Sequence, residues 1–297
     1  MDKYLNDIFP QEYKGFYYRK INDSLIINST DFDGAIKVMR EDGIRNLEIN
    51  PNYKKYEELS FLSKFNFIEG ISILPGAVGN ISGINQLSSL KSLTLQERFY
   101  GVVEFSSFTN LKSCSMVWGI DGCETIYKNA TIKRLSIVNY PKPDLVELAG
   151  ISSLEELSIL ASKIVTILGI EKFQSLHSID LSNNIRLENI HQISLLKCLE
   201  RLRIDGCKNI KDLTPIGKAT NLKFLSFSDL GNISNLEFLN TLQLEEVFFT
   251  GKTNVIDGNL SYLHALFNKG ILKNAIFPNK KHYSHKREEL GYKPPIL

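Results

Sequence analysis

In the stretch LERLRIDGCKNIKDLTPIGKATNLKFLSF, apolar residues fall at Leu199, Leu202 and Ile204, then at Ile210, Leu213 and Ile216, then at Leu222, Leu225 and Phe227. The third trio has the spacing of the first, and no single helical or strand period runs through all three. Within apolar-x-x-apolar-x-apolar the last two apolar residues are two apart, so both point to one face of a short strand. The same pattern fits Ile44-Leu47-Ile49, Ile68-Ile71-Ile73, Leu90-Leu93-Leu95, Leu111-Cys114-Met116 and Ile132-Leu135-Ile137. It continues through Leu154-Leu157-Ile159, Leu176-Ile179-Leu181 and the two trios above, and closes at Leu244-Val247-Phe249. Successive starts differ by 21 to 24 residues, a regularity that defines an internal repeat.

One such strand cannot bury its apolar face alone. Stacked turns of a solenoid place the strands in a parallel sheet and make the apolar rows continuous. Leu135, Leu157, Ile179 and Leu202 are predicted to share one buried row. The linkers carry a second apolar set, such as Ile210, Leu213 and Ile216, that closes the core from the other side. With Gly169, Pro215 and Gly217 in them, and too short for long helices, they are predicted to be extended chain and 3-10 turns. Paired strands sit about 4.8 Å apart. The linkers are bulkier, so the sheet is expected to line the inside of an arc.

With these residues in hand, the chain resembles the leucine-rich repeat family, and segments such as DLTPIGKATNLKFLSF and NISNLEFLNTLQLEEVFF are similar to the short repeats of bacterial internalin-like proteins. The resemblance runs from about Ile44 to Phe249. It implies an α/β solenoid: a curved leucine-rich repeat arc with a parallel concave sheet and a mostly 3-10 or extended convex side. The family also places Asn, sometimes Cys, three residues after the last apolar strand position, to hydrogen-bond the turn backbone. Asn52 and Asn184 match this, Cys207 and Ser162 match partly, and Gly119, Leu230 and Lys252 do not. Irregularity is therefore expected between Gly101 and Tyr140. The ends need caps. Residues 1–43 form the expected N-terminal cap, with a strand in KINDSLIINS and a helix in DFDGAIKVMREDG that stops at Gly43. Repeats occupy 44–258. Residues 259–297 form a C-terminal cap with a helix in LSYLHALFNKG, a strand in ILKNAIF and a polar surface tail.

Composition changes this picture little. The 297 residues are 43% hydrophobic and 23% charged, the balance of a folded globular chain. A net charge of +2 gives no general pull toward nucleic acid or an anionic membrane. No signal peptide is legible in MDKYLNDIFPQEYKGFYYRK, and no apolar run is long enough to span a bilayer. A cytoplasmic location is expected, and with it free thiols at Cys114, Cys123, Cys198 and Cys207, none of which forms a CxxC pair.

Nothing in the repeat brings catalytic groups together. His177, His191, His264, His282 and His285 are scattered, and His282 with His285 is a weak metal pair. GAVGNISG lacks the Lys and Ser/Thr of a phosphate loop, and too little chain follows Phe249 for a catalytic domain. No enzyme activity, cofactor or metal is expected. An enzymatic site in the caps is a distant alternative.

In the family, ligands usually meet the strand side. The outward middle row reads Glu48, Ser72, Thr94, Ser115, Ser136, Ser158, Asp180, Arg203, Ser226 and Phe248. In the next row Leu74, Val117, Val138 and Leu160 are apolar where water is expected, with Trp118 and Tyr140 beside them. An apolar patch with aromatic anchors marks a protein interface. A loop around Gly119 to Cys123 folding over the patch is the competing arrangement. The three outward rows hold three bases (Arg134, Arg201, Arg203) and five acids (Glu48, Glu156, Asp180, Asp205, Glu246), the wrong sign for a phosphate backbone. The expected site is a protein-binding one, formed by Val117, Trp118, Arg134, Val138, Tyr140, Glu156, Leu160, Asp180, Arg201 and Arg203. The chain is thus expected to be a bacterial, monomeric, non-catalytic module that binds one protein partner, and neither nucleic acid nor membrane. An immunity or antitoxin-like protein that neutralises a toxin and a secreted effector are the alternatives.

Overall fold

The computed structural model describes residues 7–290, so the start of the N-terminal cap and the end of the tail lie outside the described residues. It resolves into two compact units, one ending at Leu135 and one beginning at Ser136.

The first unit opens with a hairpin that the repeat pattern does not announce. Strands β1 (Gln11–Tyr13) and β2 (Phe16–Arg19) pair antiparallel around Lys14 and Gly15, whose positive φ values of 50° and 84° suit a two-residue hairpin turn. Strand β2 runs antiparallel to β3 (Ser24–Ile26), and β3 starts the parallel ladder. That ladder continues through β4 (Asn46–Ile49), β6 (Gly70–Ile73), β8 (Ser92–Leu95) and β9 (Ser113–Val117), while the short β5 (Tyr56–Glu58) and β7 (Val78–Asn80) pair on their own. Helix α1 (Phe32–Glu41) lies where the sequence predicts it. Asp31 caps it by accepting from the Gly34 amide at 2.9 Å, and Ala35, Val38 and Met39 form its buried face.

The hairpin corrects one outward assignment. Arg19 on β2 reaches Glu48 with Nε–Oε2 at 2.7 Å and Nη2–Oε1 at 2.8 Å. Asn50 Nδ2 donates to the same carboxylate at 2.8 Å. Glu48 and Asn50 are therefore buried beneath the cap, and Glu48 presents no charge to a partner. Asn52 is exposed and gives only its amide N–H to Asn50 Oδ1, so it plays no part in the turn ladder assigned to it from sequence.

Strand β10 (Arg134–Val138) begins with two residues of the first unit and continues into the second, whose ladder then runs β11 (Glu156–Leu160), β12 (Ser178–Asp180), β13 (Arg201–Arg203), β14 (Phe224–Ser226), β16 (Glu246–Phe248) and β18 (Asn274–Ile276), with β15 (Asn232–Ile233) and β17 (Asn254–Val255) paired separately. Register from β11 onward puts Leu157, Ile179, Leu202, Leu225, Val247 and Ala275 side by side, all buried. The linkers are single 3-10 turns at Val146–Gly150, Ile170–Lys172, His191–Leu195, Thr214–Lys218 and Glu237–Thr241, as their length and Gly/Pro content predict. Their apolar side chains (Ile170, Ile193, Ile216 and Leu239) fill the far side of the core.

Two hydrogen-bond ladders tie these turns. At the strand ends, Asn184 Nδ2 donates to the carbonyls of Ile159 (2.6 Å) and Leu181 (2.7 Å), and its Oδ1 accepts from the Ser162 amide at 2.7 Å. Ser162 Oγ in turn accepts from the Tyr140 amide, and Cys207 Sγ donates to the Leu181 carbonyl at 2.9 Å. The mismatch read at Lys252 is made good one residue on, where Thr253 donates to the Phe227 carbonyl and accepts from the Leu230 amide. The second ladder opens each 3-10 turn. Side-chain oxygens of Asp144, Thr166, Asn189, Asp212 and Asn235 accept from the amides of Val146, Leu168, His191, Thr214 and Glu237, the residues two positions on.

The C-terminal cap comprises α2 (Ser261–Asn268), β18 and a column of rings. Phe227, Phe249 and Phe277 stack at 5.0 Å intervals, and Tyr283 packs at the end of the column, 6.2 Å from Phe277. The tail is thus not wholly superficial: Tyr283 and Leu290 are buried, because the last repeat would otherwise expose its core.

Candidate functional site

The outward face of the second unit is built by strand alternation. Residues flanking Leu157, Ile179, Leu202, Leu225 and Val247 point away from the core, and parallel register aligns them in rows. One row reads Glu156, Ser178, Arg201, Phe224, Glu246; the next reads Ser158, Asp180, Arg203, Ser226, Phe248.

At its centre are two arginines with different surroundings. Arg203 is held by Asp180 (Nε–Oδ2 3.7 Å) and by Asp205 (Nη1–Oδ2 3.3 Å). Asp205 is itself fixed by the Ser226 hydroxyl, at 2.7 and 2.9 Å from its two oxygens, and by the Ser228 amide at 2.7 Å. Arg201 lies over the Phe224 ring with its guanidinium carbon 4.1 Å from the centroid. It is exposed, and no hydrogen bond or ion pair from the described residues reaches its guanidinium. Phe224 has a β-strand outward position yet is only 6% exposed, because Arg201 covers it, Arg203 lies 5.6 Å from its centroid, and Phe248 leans on it at 5.3 Å. A stacked guanidinium keeps its donors in the ring-parallel plane and loses little rotamer freedom on binding. The residues Ser158, Ser178, Asp180, Arg201, Arg203 and Phe224 line a depression of about 200 Å³. It is open and shallow, suited to another surface rather than to an enclosed small molecule.

The residues assigned from sequence fall into three sets. Asp180, Arg201 and Arg203 are brought together, with Glu156 one strand beyond Ser178 in the same row. Val138 and Leu160 are neighbours on half-exposed positions, linked through the Asn139 amide and the Leu160 carbonyl at 3.0 Å. Tyr140 is a correction: it is fully buried, since the turn after β10 folds inward where the Ser162 hydroxyl meets its amide, and it cannot touch a partner. Val117, Trp118 and Arg134 belong to the first unit. There Trp118 is half-buried with its ring 5.8 Å from that of Tyr127, while Ile120 and Cys123 turn into the core rather than across the patch. Phe224 and Phe248 were the residues of the face that sequence reading left unused. Their signal was an aromatic at an outward position on two consecutive main-ladder strands.

Other features offer less chemistry. A cavity of about 540 Å³ lies on the 3-10 side between the turns around Asp212 and Asn235. Its best polar groups are already engaged in the turns: the Thr214 hydroxyl and amide hold the Asp212 carboxyl below its ordinary range. All four cysteines are free thiols, and burial pushes Cys114 and Cys207 up to about 12 and Cys123 up to about 11, so these three are not nucleophiles at neutral pH. His282 donates to the Val255 carbonyl at 3.0 Å instead of pairing with His285, which stacks on His264 at 4.2 Å, a pairing the sequence did not indicate. Among the described residues no cluster of three His, Cys, Asp or Glu could hold a metal, and no helix is long and apolar enough to cross a membrane.

Short strands in parallel register, joined by 3-10 turns and tied by an Asn/Cys/Thr turn ladder, define a leucine-rich repeat solenoid. An internalin (inlF) from Listeria monocytogenes shares this fold at a TM-score of 0.59 and 18% identity, over 77% of this chain and 68% of that one. An internalin C2 from the same organism aligns at a TM-score of 0.44 and 18% identity over 70% and 81%, and a leucine-rich repeat protein from Leptospira interrogans at 0.43 and 16% over 82% and 74%. No family model and no curated protein matches the sequence.

Proposed function

We propose that the chain is a non-catalytic recognition module that docks a partner protein on the strand face of its second unit. The observation that carries this is Arg201: an exposed guanidinium, seated on Phe224, whose donors have no acceptor among the described residues. A cation seated on a ring with its hydrogen-bond donors unused is available to a partner, and the half-exposed Phe248 and Leu160 on the same face supply apolar contact. Serines at 158 and 178 keep the approach open. Acids outnumber bases on the face, which favours a protein over a polyanion. The fold supports this reading, because a preformed repeat surface loses little entropy on binding. A bacterial source, a cytoplasmic location and a monomeric state belong to the same proposal.

The test is affinity capture from the native cell, followed by binding of the captured partner to Arg203→Glu. The variant is expected to bind more weakly by over about 1 kcal/mol, as a hot-spot contact would, with its thermal midpoint nearly unchanged. Undiminished binding would place the interface elsewhere.

A further inference from the structure

We propose that the partner's docking element is an α-helix laid across β11 to β16, with an acidic side chain on Arg201 and basic side chains seven residues before and after it on Glu156 and Glu246. This rests on the reading above that a protein binds this face. The row Glu156, Ser178, Arg201, Phe224, Glu246 carries its charges in the order minus, plus, minus, with one uncharged residue between each pair. Unlike Arg203, Asp180 and Asp205, none of these three side chains has a hydrogen bond or ion pair from the described residues. Internal structure therefore gives no reason for the alternation, whereas an opposing plus, minus, plus would satisfy all three.

Spacing selects the helix. Two strand intervals separate Arg201 from each glutamate, about 9.6 Å at about 4.8 Å per strand. Seven residues of α-helix rise about 10.5 Å. They also turn to within about 20° of two full turns, so residues i−7, i and i+7 form one stripe. An extended peptide does not match: same-face residues lie about 6.8 Å or about 13.6 Å apart. The apolar positions of such a helix would rest on Phe248 and Leu160, which are half-exposed on the outermost of these strands. Two carboxylates flanking the arginine disfavour a phosphate-rich partner.

The probes are alanine-based helical peptides carrying Lys-x6-Glu-x6-Lys, the reversed Glu-x6-Lys-x6-Glu, or glutamine at all three positions, titrated into the full chain by fluorescence anisotropy. The first is expected to bind at least about tenfold more tightly than the reversed peptide, with a preference that weakens as salt is added. The preference should invert in Glu156→Lys/Arg201→Glu/Glu246→Lys. Should that variant not fold, Arg201→Gln alone should remove most of the preference. Equal binding of all three peptides, no binding, or a preference untouched by these substitutions overturns the helix geometry. If the peptides fail while Arg203→Glu still weakens the captured partner, the helix is wrong and the strand-face reading stands. If Arg203→Glu has no effect on that partner, the strand-face reading is wrong whatever the peptides do.

Discussion

The second unit has two polar surfaces made from the same repeat, and they use their polar side chains differently. On the 3-10 side, Asp144, Thr166, Asn189, Asp212 and Asn235 each accept from a backbone amide two residues on, so their chemistry is internal. On the strand side, the side chains of Glu156, Arg201 and Glu246 have no hydrogen-bond or ion-pair partner among the described residues. The difference follows from geometry. A 3-10 turn leaves amides without a ladder partner, and a short polar side chain satisfies them. A strand in mid-sheet has its backbone paired along the ladder, so an outward side chain there need not satisfy a backbone group: Asp180 and Asp205 still do so at the strand ends, but Glu156, Arg201 and Glu246 do not. In this unit, then, the turn-side polar groups serve the fold, and the three strand-side charges are the ones on which the proposed docking rests.

The largest effect should come from the core that both surfaces share. Ile179 sits in the buried row between Leu157 and Leu202. Ile179→Ala is expected to cost about 2–5 kcal/mol in chemical denaturation, as buried large-to-small changes do. A cost below about 1 kcal/mol would mean that the row is not packed as described. Asn184→Ala comes next. It takes the Asn184 side chain from the Ile159 carbonyl and the Ser162 amide, leaving the Leu181 carbonyl only Cys207, and an orphaned buried polar group costs about 1–3 kcal/mol. The smallest effect is pH-dependent. Asp212 is held below its ordinary range chiefly by the Thr214 hydroxyl, so its stabilisation is present above the unfolded carboxylate value, about 3.9, and is lost as pH falls through the lower folded value. Melting of the parent and Asp212→Asn at pH 7 and in stronger acid should show the parent's advantage shrinking in acid. A gap that does not shrink would show that the carboxylate charge does not stabilise the turn.

Most of the fold was legible because periodicity is a direct record of burial. Each member of the ten trios, from Ile44 to Phe249, is buried, and the cap helix and last strand lie where their patterns put them. The turn ladder was half legible. Asn184 and Cys207 occupy the expected offset, but Thr253 does the same work one residue late, and a fixed offset misses it. The 3-10 ladder was visible in principle, as Asp, Thr or Asn at spacings of 22 to 23 residues, but apolar spacing alone does not draw attention to it. The site was least legible. Strand alternation told correctly that Arg201 and Arg203 point outward, yet it says nothing of what reaches over a face. It therefore missed the β2 hairpin that covers Glu48, the inward turn that buries Tyr140, and the guanidinium that shields Phe224.

The most direct measurement sets the two surfaces against each other in matched triple variants, unfolded in guanidinium and compared with the parent. Glu156→Gln/Arg201→Met/Glu246→Gln removes the unpartnered charges of the strand face while the methionine still covers Phe224. Asp144→Ala/Asn189→Ala/Asn235→Ala removes the side-chain acceptors from alternate 3-10 turns. The strand-face variant is expected to lose less than about 1 kcal/mol, the scale of surface and cation–π changes. The turn variant is expected to lose about 2–4 kcal/mol, by analogy with capping side chains that contribute about 0.5–2 kcal/mol each. Equal losses, or a larger loss from the strand face, would contradict the division between a surface that folds the repeat and a surface kept for a partner.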